Sequence, residues 1–270
     1  MLPDADRVSR LIEEAAAAEI MPRFQRLASA DVREKAPGDL VTVADEAVEA
    51  RLAPLLTSLI PGSIVLGEEA AAVDRSLLDR LLDERPVWII DPVDGTANFA
   101  EGRPAFAVMV ALVTGADVRA AWIHDPVKSR TAVAQAGEGA WLGGERLAVA
   151  RAPNETREMA GVLLSGFFGS RELGRRLEQR RNRVRALRSM RCAGLEYIRL
   201  ASGEMHFSLF TKLMPWDHAA GVLLHREAGG HSAYLEGGAY EPAGINRSGL
   251  LLAPDPDSWR ALHDLILGEN

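Results

Sequence analysis

The residues with the most chemistry in this chain lie in one short run, Asp91-Pro92-Val93-Asp94-Gly95-Thr96-Ala97-Asn98-Phe99. The four residues before it, Val87-Trp88-Ile89-Ile90, form a compact apolar run after Pro86. That is the pattern of a buried strand, so both carboxylates are expected just past a strand end. Pro92 stiffens the turn between them, and Gly95 lets the backbone come close to a ligand. Hard divalent cations take oxygen ligands, and two carboxylates converging from one tight turn supply them. Gly95 and Thr96 can add backbone N–H groups, and Thr96 a hydroxyl, for an anion bridging such cations. The alternating ligands and distal Glu of an EF-hand are missing, which excludes that type of Ca²⁺ loop. Asp-Pro and Asp-Gly are also common turn dipeptides, and turns of this kind often bind nothing. The run needs support from elsewhere in the chain.

Three other segments supply it. Lys35-Ala-Pro-Gly-Asp39-Leu-Val-Thr42-Val-Ala-Asp45 sets several polar groups ahead of a helix. Gly67-Glu68-Glu69 puts acids at the end of a short strand. Trp216-Asp217-His218-Ala219-Ala220-Gly221 puts an acid at a helix start, and Glu227-Ala-Gly-Gly230 closes that helix. Taken singly, Asp45 and Asp217 read as helix caps. Taken together in this order, they read as part of a site. His124, His206, His225, His231 and His263 are scattered without ligand spacing, and His218 beside Asp217 does not suggest zinc.

Alternating helices and strands must position these groups. Helical spacing of Val8, Leu11, Ile12 and Ala15 predicts a helix over 4–27, and a second is expected over 44–59, ended by Pro61-Gly62. A short strand over 63–66 and a short helix over 74–83 precede the buried strand at 87–90. Strands over 105–113, 118–124 and 130–136 read as a meander, followed by a Gly-rich hairpin at 137–147. Beyond it, strands are expected at 161–165, 205–210 and 249–252, with helices at 171–181, 193–201, 217–228 and 256–267. Mixed elements of this kind indicate an α/β architecture of layered sheets and helices. The 270 residues fit one large domain made of two fused halves, about 1–150 and 151–270. Hydrophobic residues at 47% suffice for a sizeable core, and the net charge of −7 argues against a chain built to bind nucleic acid. A lone cysteine, Cys192, forms no internal disulfide, and no leader pattern or membrane-length apolar run stands out. A cytoplasmic enzyme is the expectation.

With these motifs in hand, the sequence resembles the inositol monophosphatase family of the Mg²⁺-dependent, lithium-sensitive phosphatase superfamily. The resemblance rests on Asp39-Leu-Val-Thr42 with Asp45, Gly67-Glu68-Glu69, Asp91-Pro-Val-Asp94-Gly95-Thr96 with Asn98-Phe99, Gly137-Glu-Gly-Ala-Trp141, and Trp216-Asp217 with Glu227-Ala-Gly-Gly230. It implies a layered αβαβα sandwich shared with fructose-1,6-bisphosphatase, and a homodimer. It implies two to three Mg²⁺ ions per site: one on Glu68, Asp91 and the Val93 carbonyl, a second on Asp91, Asp94 and Asp217, and a weaker third near Glu68. Thr96, paired with Asp45 and assisted by Glu68, would orient the attacking water. Asp94, Gly95, Thr96 and Ala193 would meet the substrate, Asn98 and Phe99 would brace the loop, and Glu69 would support it. Lys35 reads equally as a neighbour of the metal site and as a solvated loop lysine. Metals suit phosphate monoesters because they lower the pKa of bound water and stabilise the attacking and leaving oxygens.

The chain departs from that family at the substrate. Inositol-cleaving members keep an acid seven residues before the last metal-binding Asp, and Phe210 stands there, unable to accept hydroxyl hydrogen bonds. The Arg-Ser-x-Gly-Ser/Thr-Ala segment reads Arg188-Ser189-Met190-Arg191-Cys192-Ala193, so Arg191 replaces a glycine. Arg191 would hold a second anion bidentately or else point to solvent, and Cys192 is expected to be a small buried residue. The expected activity is hydrolysis of a small phosphorylated metabolite, with inositol monophosphate as the family default. Histidinol phosphate, fructose 1,6-bisphosphate or a nucleotide 3′-phosphate are alternatives, as is a regulatory binding protein on this scaffold. The basic stretch 171–191 lacks interleaved aromatics and reads as a solvated helix face with ion pairs, not a nucleic-acid surface.

Overall fold

The period-2 alternation of the strands builds three cores between five layers. The structure, a computed structural model, describes residues 2–163 and 171–268. A seven-stranded sheet carries β3 (Ile64–Gly67), β4 (Val87–Asp94), β5 (Ala107–Thr114), β6 (Asp117–Asp125), β7 (Arg130–Gln135), β8 (Gly139–Leu142) and β9 (Glu145–Arg146), in that order. Only β3 and β4 run parallel; every later neighbour is antiparallel, the expected meander. A five-stranded sheet, ordered β11-β10-β12-β14-β13, is built from β10 (Ala160–Leu163), β11 (Arg185–Ala186), β12 (Phe207–Phe210), β13 (His231–Tyr234) and β14 (Leu250–Ala253).

Successive side chains on a strand face opposite ways, and the chain uses both faces. Trp88, Ile90, Val108 and Val110 pack with α1 (Ala5–Ala15) and α2 (Val43–Leu59) on one side of the large sheet. Ile89, Met109, Ala111 and Ile123 face the other way, onto α6 (Ala193–Ala201) and α7 (Pro215–Glu227). Leu250 and Leu252 close that middle core from the small sheet, while Leu251 and Ala253 alternate outward to α5 (Arg171–Arg180) and α8 (Pro256–Leu267). The layers therefore run helix, sheet, helix, sheet, helix. Burial on both faces explains why β4 and β5 read as continuous apolar runs.

Several expectations need correction. β4 does not stop at Ile90 but continues through Asp94, because Asp91 and Asp94 both still pair with β5. The polar stretch around Lys35 is a hairpin of β1 (Val32–Ala36) and β2 (Asp39–Thr42), turned at Gly38. β13 was not legible, since His231-Ser-Ala-Tyr234 is short and only half apolar. Residues 75–82 form a 3₁₀ segment, and the first helix passes into a π turn over 16–20. The strand expected at 161–165 occupies 160–163, and its end lies outside the described residues. The basic stretch is not simply a solvated face: Arg180, 8% exposed, donates to the carbonyls of Leu265, Ile266 and Gly268, and Arg176 to that of Leu267. These cations cap the C-terminus of α8, where carbonyls lack intrahelical partners.

Candidate active site

β4 delivers its two acids to one place through an irregularity. Asp91 pairs with Met109 and Asp94 with Ala107, so three steps on β4 oppose two on β5. In a regular strand, residues three apart face opposite ways; the extra residue, a bulge, turns both carboxylates to the same face. The chain then leaves the strand at Gly95, whose φ of 85° is left-handed and whose added Cβ would lie 2.8 Å from the Ala105 carbonyl. Only glycine fits there. The short α4 (Thr96–Ala100) starts at once.

Asp217 arrives from the first turn of α7, third in the helix after the Met214 N-cap and Pro215. It is not itself the cap. One oxygen from each of Asp91, Asp94 and Asp217 lies within 4.8 Å of the others. Asp91 is 1% exposed and its Oδ1 has no hydrogen-bond partner among the described residues. Like charges about 4 Å apart repel by about 4 kcal/mol per pair at an effective dielectric of about 20. Burial, then Glu68 and its neighbour acids, holds Asp91 well above the usual carboxylate range, and burial with Glu68 pushes Asp217 up to about 8. An orphaned buried oxygen among converging carboxylates suits a hard divalent cation, which takes oxygen ligands.

Glu68 lines the same cavity but stands outside this trio. It opens α3 (Glu68–Val73), and its carboxylate pairs with Lys35 Nζ at 2.9 Å, as does that of Glu69. Burial works against the Lys35 ammonium, yet Glu68 and Glu69 overcome it and raise its pKa. Lys35 is therefore no solvated loop residue: its side chain is 14% exposed.

Behind the cavity, Thr96 Oγ1 lies 3.1 Å from Asp45 Oδ1 and 2.8 Å from the Val93 carbonyl. Asp45 is fully buried and also closes a capping box, accepting from the Thr42 N–H at 2.8 Å and the Thr42 hydroxyl at 2.5 Å. Burial pushes it up to about 7 despite those donors. The cap and site readings of Asp45 are thus compatible.

The third wall is the segment 188–193. Asp94 Oδ2 accepts from the Gly194 N–H at 2.6 Å and the Cys192 thiol at 3.0 Å, which anchors the N-terminus of α6 to β4. Cys192 is buried, as expected. Asn98 Nδ2 donates to the carbonyls of Ala105, Met190 and Arg191 at 2.7, 2.9 and 3.2 Å, and Phe99 packs between Phe24 and Phe106, so both brace the loop. Phe210 forms the apolar side of the cavity, stacked on Tyr197 and tilted against His218. His218 Nε2 meets the Lys212 carbonyl at 2.7 Å and Nδ1 the Tyr197 hydroxyl at 3.0 Å, so it is fully engaged. Glu68, Asp91, Val93, Asp94, Gly95, Thr96, Arg191, Ala193, Phe210 and Asp217 all line one cavity of about 330 Å³; Asp45 alone sits behind it.

Two carboxylates that sequence reasoning passed over hold this arrangement. Glu49 accepts from the N–H groups of Glu69 and Ala70 at 2.8 and 2.9 Å, fixing the turn that presents Glu68. Its carboxylate lies where a Cβ on Gly67 would be, within 2.4 Å. Glu196, 1% exposed, accepts from Ser189 Oγ at 2.7 Å and the Met190 N–H at 2.9 Å, which sets the path to Arg191. Nothing in a helical position distinguishes such acids from surface ones; the Gly67 glycine was the only hint.

The model of the inositol monophosphatase family matches residues 5–269. An inositol-1-monophosphatase of Caulobacter vibrioides is 34% identical over 211 residues, 77% of this chain and 80% of its own. A fructose-1,6-bisphosphatase/inositol-1-monophosphatase of Thermotoga maritima is 32% identical over 71% of this chain and 70% of its own, and the Nus factor SuhB of Escherichia coli 30% identical over 81% and 80%. Among solved structures, inositol monophosphatase II of Staphylococcus aureus superposes with a TM-score of 0.81 at 24% identity, covering 97% of this chain and 92% of its own, a likeness of fold. The match over residues 5–269 and relatives of 30–34% identity show that the chain belongs to the inositol monophosphatase family, phosphatases of small phosphorylated metabolites.

Proposed function

We propose that this chain hydrolyses its phosphomonoester with two to three Mg²⁺ ions held by Asp91, Asp94, Asp217, Glu68 and the Val93 carbonyl. The observation that carries the reading is the buried Asp91 Oδ1 within the trio, which has no hydrogen-bond partner among the described residues. Such ions, when bound, lower the pKa of water and neutralise charge developing on phosphate oxygens. The protein's own groups do the rest. Asp45 holds the Thr96 hydroxyl, which fixes the orientation of a water presented to phosphorus. The N–H groups at Gly95 and Thr96, at the start of α4, would meet the phosphate, and Asp94 stays fixed by Cys192 and Gly194 through one oxygen, leaving the other for the metal. Glu68 shares its charge with Lys35, which lets it assist the water without leaving an uncompensated buried anion.

The Phe210 ring makes inositol 1-phosphate a mediocre substrate in this reading, because a phenyl edge accepts no hydroxyl hydrogen bonds. The test is phosphate release from a panel of phosphorylated metabolites, with and without Mg²⁺ and with millimolar Li⁺. Mg²⁺-dependent, Li⁺-inhibited release is expected, with inositol 1-phosphate below the best substrate. Efficient inositol 1-phosphate hydrolysis, unchanged in Phe210→Glu, overturns the pocket reading and leaves the metal reading standing. A homodimer is the expected assembly, read by sedimentation.

A further inference from the structure

Arg191 occupies the left-handed region, with φ of 54°, where L side chains rarely settle. The surroundings enforce it. Its N–H donates to Ser189 Oγ at 3.0 Å, its carbonyl accepts from Asn98, and Ser189 is itself held by Glu196. The backbone is thus tied on one side to the α4 loop beside Thr96 and on the other to α6. The side chain is exposed and lines the catalytic cavity, with Phe210 and Lys212 among the other lining residues.

The approach to Arg191 is equally distinctive. Arg183, Arg185 and Arg188 are exposed, and among the described residues none of them, nor Arg191, has a carboxylate within ion-pair distance. Arg185 lies on β11, the edge of the small sheet, and the chain passes from there through Arg188 to Ser189 and Arg191, which line the cavity. It does so in a chain whose net charge is −7. Arg176 and Arg180, by contrast, are turned onto the end of α8. The Arg191 guanidinium, lining the cavity and without an ion-pair partner among the described residues, matches a planar or tetrahedral oxyanion, and the exposed arginines that precede it in the chain add positive charge.

Resting on the phosphatase reading above, we infer that Arg191 binds a second anionic group, phosphate or carboxylate, on the alcohol portion of the substrate, while Arg183, Arg185 and Arg188 draw that substrate in. The substrate class is a phosphomonoester carrying two anions. The exposed strip acts through long-range attraction, and the cavity arginine through contact.

Two matched comparisons test this: 2-phosphoglycerate against glycerol 2-phosphate, and fructose 1,6-bisphosphate against both fructose 1-phosphate and fructose 6-phosphate, so that whichever ester is cleaved has its one-anion counterpart. The first isolates a carboxylate, the second a phosphate. Arg191→Gly removes the guanidinium and suits the left-handed backbone, so the loop keeps its path. The wild type is expected to favour at least one two-anion member in kcat/KM, and Arg191→Gly to lower that preference about tenfold or more, mainly through KM. Arg191→Lys should restore part of it. Replacing Arg183, Arg185 and Arg188 together by Gln should lower kcat/KM for the two-anion member about two- to threefold at low salt and not at high salt. A preference that Arg191→Gly leaves unaltered, in an enzyme that still hydrolyses the one-anion esters with Mg²⁺, overturns the subsite alone. If no ester is hydrolysed, calorimetric binding of the same pairs decides. An Arg191-dependent preference then supports the subsite and overturns hydrolysis, and its absence overturns both.

Discussion

Asp91 and Asp94 are three apart in sequence yet face one cavity, because β4 carries an extra residue between them. Their types and spacing were legible; the bulge was not, since nothing in Asp-Pro-Val-Asp announces that the strand continues. Asp91→Asn, Asp94→Asn and Asp217→Asn each remove a charge from the trio without opening a cavity in the core. Each is expected to lose at least about a hundredfold in phosphate release, more than changes around a metal ligand usually cost. Each also relieves repulsion, so in chelator the Asp217→Asn variant should melt above the wild type, while the rise in Tm that Mg²⁺ gives the wild type disappears. A wild-type Mg²⁺ increment in that variant would remove Asp217 from the metal set. Thr96→Val should lower kcat and keep that increment, since in the proposed mechanism Thr96 orients water and is not counted among the ligands.

Most helices were readable from apolar spacing and from Pro or Gly at their ends, and α6 and α8 have the bounds the sequence suggests. What could not be read was long-range capping. Arg180 closes α8 from α5, eighty-odd residues away, and Glu49 caps α3 from α2. Such partners are fixed by packing between layers, which no local pattern encodes. Arg180→Met should therefore destabilise the protein by about 2–3 kcal/mol in urea unfolding, the scale of a charged hydrogen-bonding group lost from a buried place. Glu49→Gln keeps the shape but weakens the anion at the α3 N-terminus, and is expected to raise the Mg²⁺ concentration needed for half-maximal activity. An unshifted Mg²⁺ requirement would mean that Glu68 is held without Glu49.

Across the whole molecule, the five layers bury titratable groups far from the cavity as well. His225 on α7 is 1% exposed, both ring nitrogens lack partners among the described residues, and its ring packs where a Gly230 Cβ would be. Burial, then the charge of His231, lowers its pKa from 6.5 to about 3. The folded protein keeps this ring neutral, while the unfolded chain takes a proton below 6.5. Between those values the unfolded state binds more protons, so stability falls as pH falls. The slope rises from about half of 1.4 kcal/mol per pH unit at pH 6.5 towards that full value below it, which amounts to about 1.6 kcal/mol from pH 6.5 to 5. Urea unfolding at several pH values should show His225→Leu losing about that much less than the wild type over this interval; parallel curves would show that the ring is protonated in the fold. Family membership was legible because the motifs sit at the ends of strands and helices, where the fold gathers them.

In the proposed mechanism the carboxylate trio holds the metal for phosphate ester hydrolysis. Metal-stripped wild-type protein should be titrated with Mg²⁺ while binding heat and phosphate release are followed together, with Asp91→Asn in parallel. The expected result is no release in chelator, then activity that rises as two to three ions bind per chain, with binding and activity both lost in Asp91→Asn. Full phosphate release by the stripped wild type in excess chelator would show that the trio holds no catalytic metal.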